Sequence, residues 1–353
     1  MLDKYKIHPN STVRIAIQNM DDNHCSVTFI VNENEILLGI FTQGDMRKFI
    51  LQNGNLAANI TEAMNAKPII FHSLEEAKKA MQIRRMVVYP IVNNEGQLVD
   101  ALFERTPDSG ESKKNNCALT DIPLVIMAGG KGTRLYPYTK ILPKALIPIG
   151  DITITERIIN NFVQYGCRDV YMILNHKANM IKSYFNELEK NYTLHLIKEE
   201  KFLGTGGGLQ LLKNKIHNTF ILSNCDILIN EDLECIYKTH KAKKNKITFV
   251  CAMKSISIPY GVVRTDASGK IIKMTEKPEF SFLTNTGVYV IEPDIISSIE
   301  KDEIVHLPEI AKRYLDKGER VGVFPISENA WLDMGKFSEM ELMKKQLEIK
   351  GEI

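Results

Sequence analysis

Residues 124–148 read LVIMAGGKGTRLYPYTKILPKALIP, and this stretch decides the fold of the longer part of the chain. The apolar run at residues 124–128 is typical of a buried strand. Three glycines follow within residues 129–132, and glycines at a strand end let backbone N–H groups approach a ligand closely. Arg134 and Lys144 then offer a planar guanidinium and a mobile ammonium group to phosphate. The stretch therefore predicts a strand that ends in a loop for a nucleoside triphosphate.

Two well-known phosphate loops do not fit this stretch. A Walker A loop requires Gly-Lys-Ser/Thr, but here Gly132 follows Lys131. The dinucleotide fingerprint requires a third glycine at the position of Leu135. The pattern that remains, GGKGTRLYPYT followed by LPKALIPIG, resembles the signature of the sugar-phosphate nucleotidyltransferases. The resemblance implies catalytic roles for Arg134 and Lys144. It also implies a nucleotide-binding set of Ala128, Gly129, Gly130, Gly132 and Thr133.

Strands and helices alternate along the rest of this region, from a helix-like run at residues 155–165 to an apolar strand at residues 248–252. Such alternation is typical of an α/β fold with a Rossmann-like, mixed but mostly parallel sheet and helices on both faces. Ligands of these sheets bind at the carboxyl ends of the strands. We therefore expect residues 122–353 to form one domain, with its site residues near the strand ends.

The segment EEKFLGTGGG at residues 199–208 resembles the base-reading loop of the same family. The resemblance implies nucleotide contacts for Glu199, Gly204 and Thr205. Uridylyl- and thymidylyltransferases commonly carry glutamine at the position of Glu199. Guanine presents two neighbouring N–H donors, which suit an acceptor-only carboxylate, and the guanylyltransferases that this chain resembles also carry glutamate there. We expect GTP as the nucleotide, with UTP or dTTP as the alternatives.

Two aspartates far apart in the chain are candidates for a metal site. Asp226 follows the apolar strand at residues 220–224, and Asp333 lies in the segment WLDMG at residues 331–335. The resemblance implies that both hold Mg²⁺ and that Asp226 also contacts the nucleotide. Carboxylate oxygens are ligands that this cation prefers. The chain departs from the family's Asn-Gly-Asp pattern at Cys225, whose soft sulfur we do not expect to bind Mg²⁺.

Three short motifs follow in the order that the family uses for its sugar pocket. They are YGVV at residues 260–263, EKP at residues 276–278 and NTG at residues 285–287. The resemblance implies a sugar-binding set of Gly261, Glu276, Asn285 and Thr286. It also implies that Lys277 is a third catalytic residue that holds the sugar phosphate, since a lysine neutralises phosphate charge.

Residues 1–106 contain two copies of one unit, because the pattern of residues 16–32 recurs 61 residues later without a gap. The segment GIFTQGD at residues 39–45 resembles a cystathionine-β-synthase-type (CBS) module, so we expect a tandem CBS domain. The resemblance implies an adenine nucleotide at Thr42 and Asp45. A capped helix start with no ligand is the alternative. The second copy lacks the glycine, threonine and aspartate of the motif, so we expect no nucleotide there.

Residues 107–121 predict a linker, because they are polar, contain Pro, Gly and Ser, and show no periodicity. The remaining bulk properties, 44% apolar and 25% charged residues, are those of a globular protein. The net charge of +2 gives no reason to expect nucleic acid or a membrane as a partner. Six scattered cysteines without a C-x-x-C pair indicate reduced thiols and a cytoplasmic location.

These motifs together predict a sugar-1-phosphate guanylyltransferase that uses GTP, Mg²⁺ and a sugar 1-phosphate. The combination with a CBS pair resembles bacterial enzymes that make GDP-glucosamine on the route to legionaminic acid, and mannose or heptose 1-phosphate are alternative substrates. A catalytically inactive sensor subunit on the same fold is the alternative from another class. Such subunits usually lose the loop cations or the metal carboxylates, and here all of them are present. The charged helix at residues 336–350 predicts a lid or a contact in a homo-oligomer.

Overall fold

The computed structural model describes residues 2–103 and 118–349. The chain divides into two compact units that do not follow its linear order. Of the described residues, the repeat unit comprises residues 2–103 and 253–283, and the sheet unit comprises residues 118–252 and 284–349. The predicted linker lies outside the described residues except for residues 118–121. No helix in the described part of the chain is long and apolar enough to cross a membrane.

Two similar copies form the N-terminal part of the repeat unit. Its elements are β1 (Lys6–Ile7), α1 (Val13–Asp22), β2 (Val27–Val31), β3 (Leu37–Thr42), α2 (Gln43–Gln52), α3 (Leu74–Ile83), β4 (Val88–Val92) and β5 (Leu98–Phe103). Phe29 pairs with Ile40 between β2 and β3, and Pro90 pairs with Ala101 at the equivalent place between β4 and β5. The same irregularity, one residue further on, interrupts both strand pairs. The structure thus contains the sequence repeat as two matching hairpins with the same register.

The rest of the chain alternates between strands and helices. Its elements are β6 (Leu124–Ala128), α4 (Tyr138–Ile141), β7 (Pro148–Ile149), β8 (Ile152–Thr153), α5 (Ile154–Val163), β9 (Asp169–Leu174), α6 (Ala178–Glu187), β10 (Thr193–Lys198), α7 (Gly204–Gly207), β11 (Phe220–Asn224), β12 (Ile227–Ile229), α8 (Leu233–Ala242), β13 (Ile247–Ser257), β14 (Val262–Thr265), β15 (Ile271–Thr275), β16 (Glu279–Ile291), α9 (Asp294–Ser297), α10 (Leu307–Asp316), β17 (Val321–Ile326), β18 (Trp331–Asp333) and α11 (Phe337–Ile349).

A seven-stranded sheet organises the sheet unit, in the order β10-β9-β6-β11-β16-β13-β17. The pairs β10–β9, β9–β6, β6–β11 and β13–β17 are parallel, and β16 runs antiparallel to β11. Successive residues of β6 enter cores on opposite faces: Ile126 packs with Ile158 of α5, and Val125 packs with Ile310 of α10. Strands covered on both faces are continuously apolar, as this sequence is. The predicted fold class, a mixed and mostly parallel sheet between helices, is confirmed.

The segment Met253–Leu283 leaves the sheet as an excursion and belongs to the repeat unit. It consists of the end of β13, the antiparallel hairpin β14–β15 and the start of β16. Met253 is 5% exposed and lies in the hydrophobic core of the repeat unit, against which Leu283 also packs. The excursion is therefore anchored in that core at both of its ends.

Candidate active site

The glycine loop at the end of β6 is folded back on the residues that follow it. Gly132 has a φ of +64°, and a Cβ there would lie 2.9 Å from Thr139. The Thr139 hydroxyl donates a hydrogen bond to the Gly132 carbonyl at 2.7 Å. A Cβ on Gly130 would meet open space, so this glycine leaves room for a ligand on the loop. The loop is thus held in shape at Gly132 and open at Gly130.

Asp226 and Asp333 come together because β12 pairs antiparallel with β18, which places Ile227 opposite Asp333. The Met334 N–H also donates to the Asp226 carbonyl at 3.0 Å. Lys144 forms an ion pair with Asp226, and both side chains are about nine-tenths buried. These three candidate residues, from three distant parts of the chain, therefore lie together just beyond the end of β11.

The electrostatics of this cluster centre on Asp333. The pKa of Asp333 is raised to about 6, chiefly by burial and also by the charges of Asp226 and Glu339, while the charges of Lys144 and Arg134 lower it. Asp333 Oδ1 and Glu339 Oε2 are buried and have no hydrogen-bond partner among the described residues. Glu339 lies in the first turn of α11 and was not identified from the sequence. Its position six residues after Asp333 would have been the only signal.

The donor set of this cluster fits a divalent cation of the Mg²⁺ type. Asp226 and Asp333 supply hard carboxylate oxygens, and one oxygen of Asp333 is buried without a partner. No group of three or more His, Cys, Asp or Glu side chains in the described part of the chain is placed to hold a metal by itself. Magnesium is commonly bound by one or two carboxylates, with water and substrate phosphate completing its shell. The cluster thus fits a cation that binds together with a phosphate substrate.

The predicted base loop packs tightly against the segment that precedes α10. A Cβ on Gly204, whose φ is +82°, would lie 2.6 Å from the Val305 carbonyl oxygen, and one on Gly207 would lie 2.2 Å from that of Glu303. Larger residues would push the loop away from this segment. Glycine is therefore required here by close packing as well as by any approach of a base.

Glu199 is 2% exposed, and its Oε1 accepts the Leu203 N–H at 3.1 Å. Burial raises the pKa of Glu199, and its hydrogen bonds with Leu203 and Asn175 oppose that rise. Its other oxygen lies toward Gly129, where a Cβ would be 3.4 Å away. Glu199 thus lies between the base loop and the glycine loop. Its Oε1 contacts the base loop, and its Oε2 faces the glycine loop.

Thr205 makes its contacts within the fold. Its hydroxyl accepts the Leu307 N–H at 3.3 Å, at the start of α10, and its backbone N–H donates to Nδ1 of His306 at 3.3 Å. His306 was not identified from the sequence, because its partner lies 101 residues away. The Thr205 side chain is therefore used to hold the base loop.

The predicted sugar residues divide between the two units. Thr286 is 2% exposed and donates to the Val250 carbonyl, and Asn285 donates to the Tyr289 hydroxyl and accepts the Gly287 N–H. Both side chains are thus used inside the sheet unit. Gly287 has a φ of +91°, and a Cβ there would lie 2.4 Å from the amide nitrogen of Asn224, a side chain that is not among the predicted site residues.

Gly261, Glu276 and Lys277 lie on the excursion of the repeat unit. A Cβ on Gly261 would be 3.0 Å from Oε2 of Glu276, so these two predicted sugar residues are neighbours. Lys277 is exposed and has a φ of +41°, which is uncommon for a residue with a side chain. The excursion therefore groups the three predicted residues on one loop.

Thr42 and Asp45 form a capping box at the start of α2. Asp45 accepts hydrogen bonds from the Thr42 N–H at 2.9 Å and from the Thr42 hydroxyl at 2.7 Å. The Thr42 hydroxyl in turn accepts the Asp45 N–H at 3.2 Å. A capping box alone is therefore enough to explain why threonine and aspartate stand at the start of this helix, and no ligand is needed.

Residues 124–349 match the family model of the nucleotidyl transferases, so the chain belongs to this family. Residues 1–52 match the model of the CBS domain, which corresponds to the first of the two copies. The chain is therefore a nucleotidyl transferase family member that carries an N-terminal CBS domain.

The UTP–glucose-1-phosphate uridylyltransferase of Synechocystis sp. is 29% identical over 233 residues, which cover 60% of this chain and 60% of that protein. The mannose-1-phosphate guanylyltransferase of Mycobacterium tuberculosis is 26% identical over 223 residues, 62% of each chain. The chain thus spans about three-fifths of the length of these relatives. The crystal structure of HddC from Yersinia pseudotuberculosis matches with a TM-score of 0.51 and 21% identity, over 64% of this chain and 99% of that one, and supports the fold.

Proposed function

We propose that this protein transfers GMP from GTP to a sugar 1-phosphate, which yields a GDP-sugar and pyrophosphate. The observation that carries the proposal is the meeting of Lys144, Asp226 and Asp333 beyond the end of β11. The strand β11 pairs with β6, from which the glycine loop extends. A buried lysine with two carboxylates beside an open glycine loop suits phosphoryl transfer, because that chemistry requires positioning and charge neutralisation.

In this mechanism the phosphate oxygen of the sugar attacks the α-phosphorus of GTP in line, the bond to the β-phosphate oxygen breaks, and pyrophosphate leaves. No protein nucleophile is needed. Arg134 and Lys144 neutralise the triphosphate, and Lys277 holds the attacking phosphate. Asp226 and Asp333 are the residues that would hold Mg²⁺, which when bound supplies further neutralisation of phosphate charge.

The choice of GTP rests on Glu199. The Glu199 carboxylate accepts from Leu203 and Asn175, and with about four acceptor sites it keeps capacity for the N–H groups of guanine. In the variant Glu199→Gln the amide oxygen can keep the Leu203 contact, and the NH₂ group then replaces the second oxygen with a donor. We expect the use of GTP to fall about 100-fold and the use of UTP or dTTP to rise, as measured by pyrophosphate release.

The control for this variant is Glu200→Gln, which changes the exposed neighbouring carboxylate. Its nucleotide preference should equal that of the unchanged protein. The assay should offer each of GTP, UTP, dTTP and ATP in turn to the full-length chain. Higher activity of the unchanged protein with UTP or dTTP than with GTP would overturn the guanylyl assignment and leave the nucleotidyltransferase proposal in place.

We further propose glucosamine 1-phosphate as the sugar substrate, in the cytoplasmic formation of a GDP-sugar for legionaminic acid or a related nonulosonic acid. The buried free thiols of Cys25, Cys167, Cys225 and Cys251 support a reducing compartment. Pyrophosphate release with glucosamine, mannose and heptose 1-phosphates distinguishes the substrates. Preferred use of either alternative would correct this assignment.

Thr42 and Asp45 are proposed to contact the ribose or phosphate of an adenine nucleotide, and the whole chain is proposed to form a homo-oligomer. The motif resemblance and the match to the CBS model support the first proposal. Thermal shift of the full-length chain with AMP, ADP and ATP tests this nucleotide proposal, and the Asp45→Asn variant should abolish any shift.

Light scattering of the purified chain tests the proposal that it forms a homo-oligomer, and a monomer mass would contradict that proposal.

A further inference from the structure

The CBS-containing repeat unit and the predicted sugar-phosphate loop share one hydrophobic core. Met253 and Leu283, the two ends of the excursion, pack into the core that Val13, Phe29, Phe41 and other residues of the first copy form. Because buried apolar contacts are close-packed, a change in this core is transmitted to the chain that leaves it. The excursion is therefore a structural part of the repeat unit.

One ion pair links the N-terminal helix to the loop itself. Arg14 lies in the first turn of α1, and its guanidinium is 2.5 Å from Oε1 of Glu279. The two side chains are 35% and 30% exposed. The backbone N–H of Arg14 donates to the Leu56 carbonyl, which fixes this turn against the chain that follows α2. Glu279 is thus held by a residue whose own backbone is anchored in the first copy.

Short-range contacts connect Glu279 to the predicted substrate residues. The Pro278 carbonyl accepts the Ile258 N–H at 3.0 Å, and the Ser255 and Ser281 hydroxyls lie 2.8 Å apart. These bonds join the two strands at the base of the loop. Glu276 and Lys277 come directly before this base, so their placement depends on where Glu279 is held.

We propose that Arg14 is a positioning residue for the sugar phosphate: through Glu279 it holds the loop that carries Gly261, Glu276 and Lys277. A conformational change in the repeat unit would then move this loop. The affinity for the sugar phosphate would change, and the affinity for the nucleotide would stay the same. This inference rests on the proposed function and adds a route by which the CBS module regulates it.

The test uses charge reversal in the full-length chain. Arg14→Glu places a like charge opposite Glu279, and an acid in the first turn of α1 is compatible with the helix. We expect KM for the sugar 1-phosphate to rise about fivefold, which is the size expected for a partly exposed pair, with KM for the nucleotide unchanged. The double variant Arg14→Glu/Glu279→Arg should restore KM to within about twofold of the original value.

The matched control is Arg84→Glu, a reversal on the exposed end of α3 that should change neither KM. Hydrogen exchange provides a readout that does not depend on activity. The peptides that cover residues 255–261 and 276–281 should exchange faster in Arg14→Glu and return to the original rate in the double variant. Unchanged exchange in both peptides would overturn the inference, as would an equal rise in both KM values or a double variant that fails to restore them.

The exchange measurement also separates this inference from the proposed function. If the unchanged protein released no pyrophosphate with any nucleotide and sugar phosphate, the proposed function would fail. Faster exchange that is reversed by the double variant would still establish that Arg14 positions the loop.

Discussion

The residues proposed to bind the nucleotide and those proposed to bind the sugar phosphate differ in how the fold holds their charged groups. We call the first set the nucleotide side and the second set the sugar-phosphate side. Lys144 and Asp226 are 12% and 9% exposed, and paired strands fix Asp226 beside Asp333. Glu276 and Lys277 are exposed and lie on a hairpin that is anchored in another compact unit. Buried charges act strongly because water screens them little, whereas exposed charges depend on substrate to exclude water. We therefore expect the nucleotide side to be preorganised and the sugar-phosphate side to be adjustable.

The largest expected effect comes from removing a charge on the preorganised side. We expect Asp333→Asn to lower kcat/KM about 1,000-fold in the pyrophosphate assay, because the change removes a ligand of the proposed cation and leaves the shape of the side chain intact. Titration calorimetry with Mg²⁺ and nucleotide should show weakened metal binding. Glu200→Gln, a loss of charge at an exposed position, is the control and should leave activity unchanged.

The same variant, Asp333→Asn, should make the metal-free protein more stable at neutral pH, although it lowers activity. The pKa of Asp333 is about 6 in the folded chain and 3.8 without the fold, so the folded state holds this proton more tightly. Stability without metal should therefore fall as pH rises from about 4 to about 6, by about 1–2 kcal/mol after allowance for solvent screening. Asp333→Asn should remove this slope in urea unfolding measurements. A variant that lost activity and stability together would point to a structural role for Asp333 and weaken the contrast between the two sides.

An intermediate effect is expected on the adjustable side. Lys277→Met should raise KM for the sugar 1-phosphate about 30-fold through the loss of one charge-assisted contact, with KM for GTP unchanged. The melting temperature should not change, because Lys277 is exposed. Lys273→Met, on the same hairpin and also exposed, is the matched control. A rise in KM for GTP as large as that for the sugar phosphate would contradict the division into two sides.

The sequence predicts the local parts of this architecture well. The apolar run of β6 with its glycines, the repeat of 61 residues and the motif aspartates each have a signature within a few residues. What it cannot predict are contacts that depend on the whole fold. Met253 and Leu283 are ordinary apolar residues of long strands, and nothing local indicates that they belong to the repeat core. Likewise Thr205 and Thr286 match motifs for ligand contact, and only the fold reveals that their hydroxyls are used by backbone groups more than 30 residues away.

Lys177 is a further residue of this kind, and it lies on the preorganised side. Its ammonium donates to three carbonyls at the end of α4, those of Thr139, Lys140 and Ile141, at 3.2, 2.6 and 2.7 Å. A cation at the carboxyl end of a helix satisfies carbonyls that have no partner within the helix. The other side of α4 contacts the start of α11, where the rings of Tyr138 and Phe337 are 5.4 Å apart. Lys177 therefore holds the segment that follows the glycine loop.

The smallest of the expected effects follows from this contact. Lys177→Met should raise KM for GTP about fivefold and leave KM for the sugar phosphate unchanged, because it loosens α4 without removing a group that touches substrate. Lys177→Arg should restore most of the affinity, since a guanidinium also donates to carbonyls. Lys182→Met on α6, the helix that directly follows Lys177, is the control. If Lys177→Met instead raised KM for the sugar phosphate alone, the nucleotide side would be no more preorganised than the excursion, and the comparison between the two sides would fail.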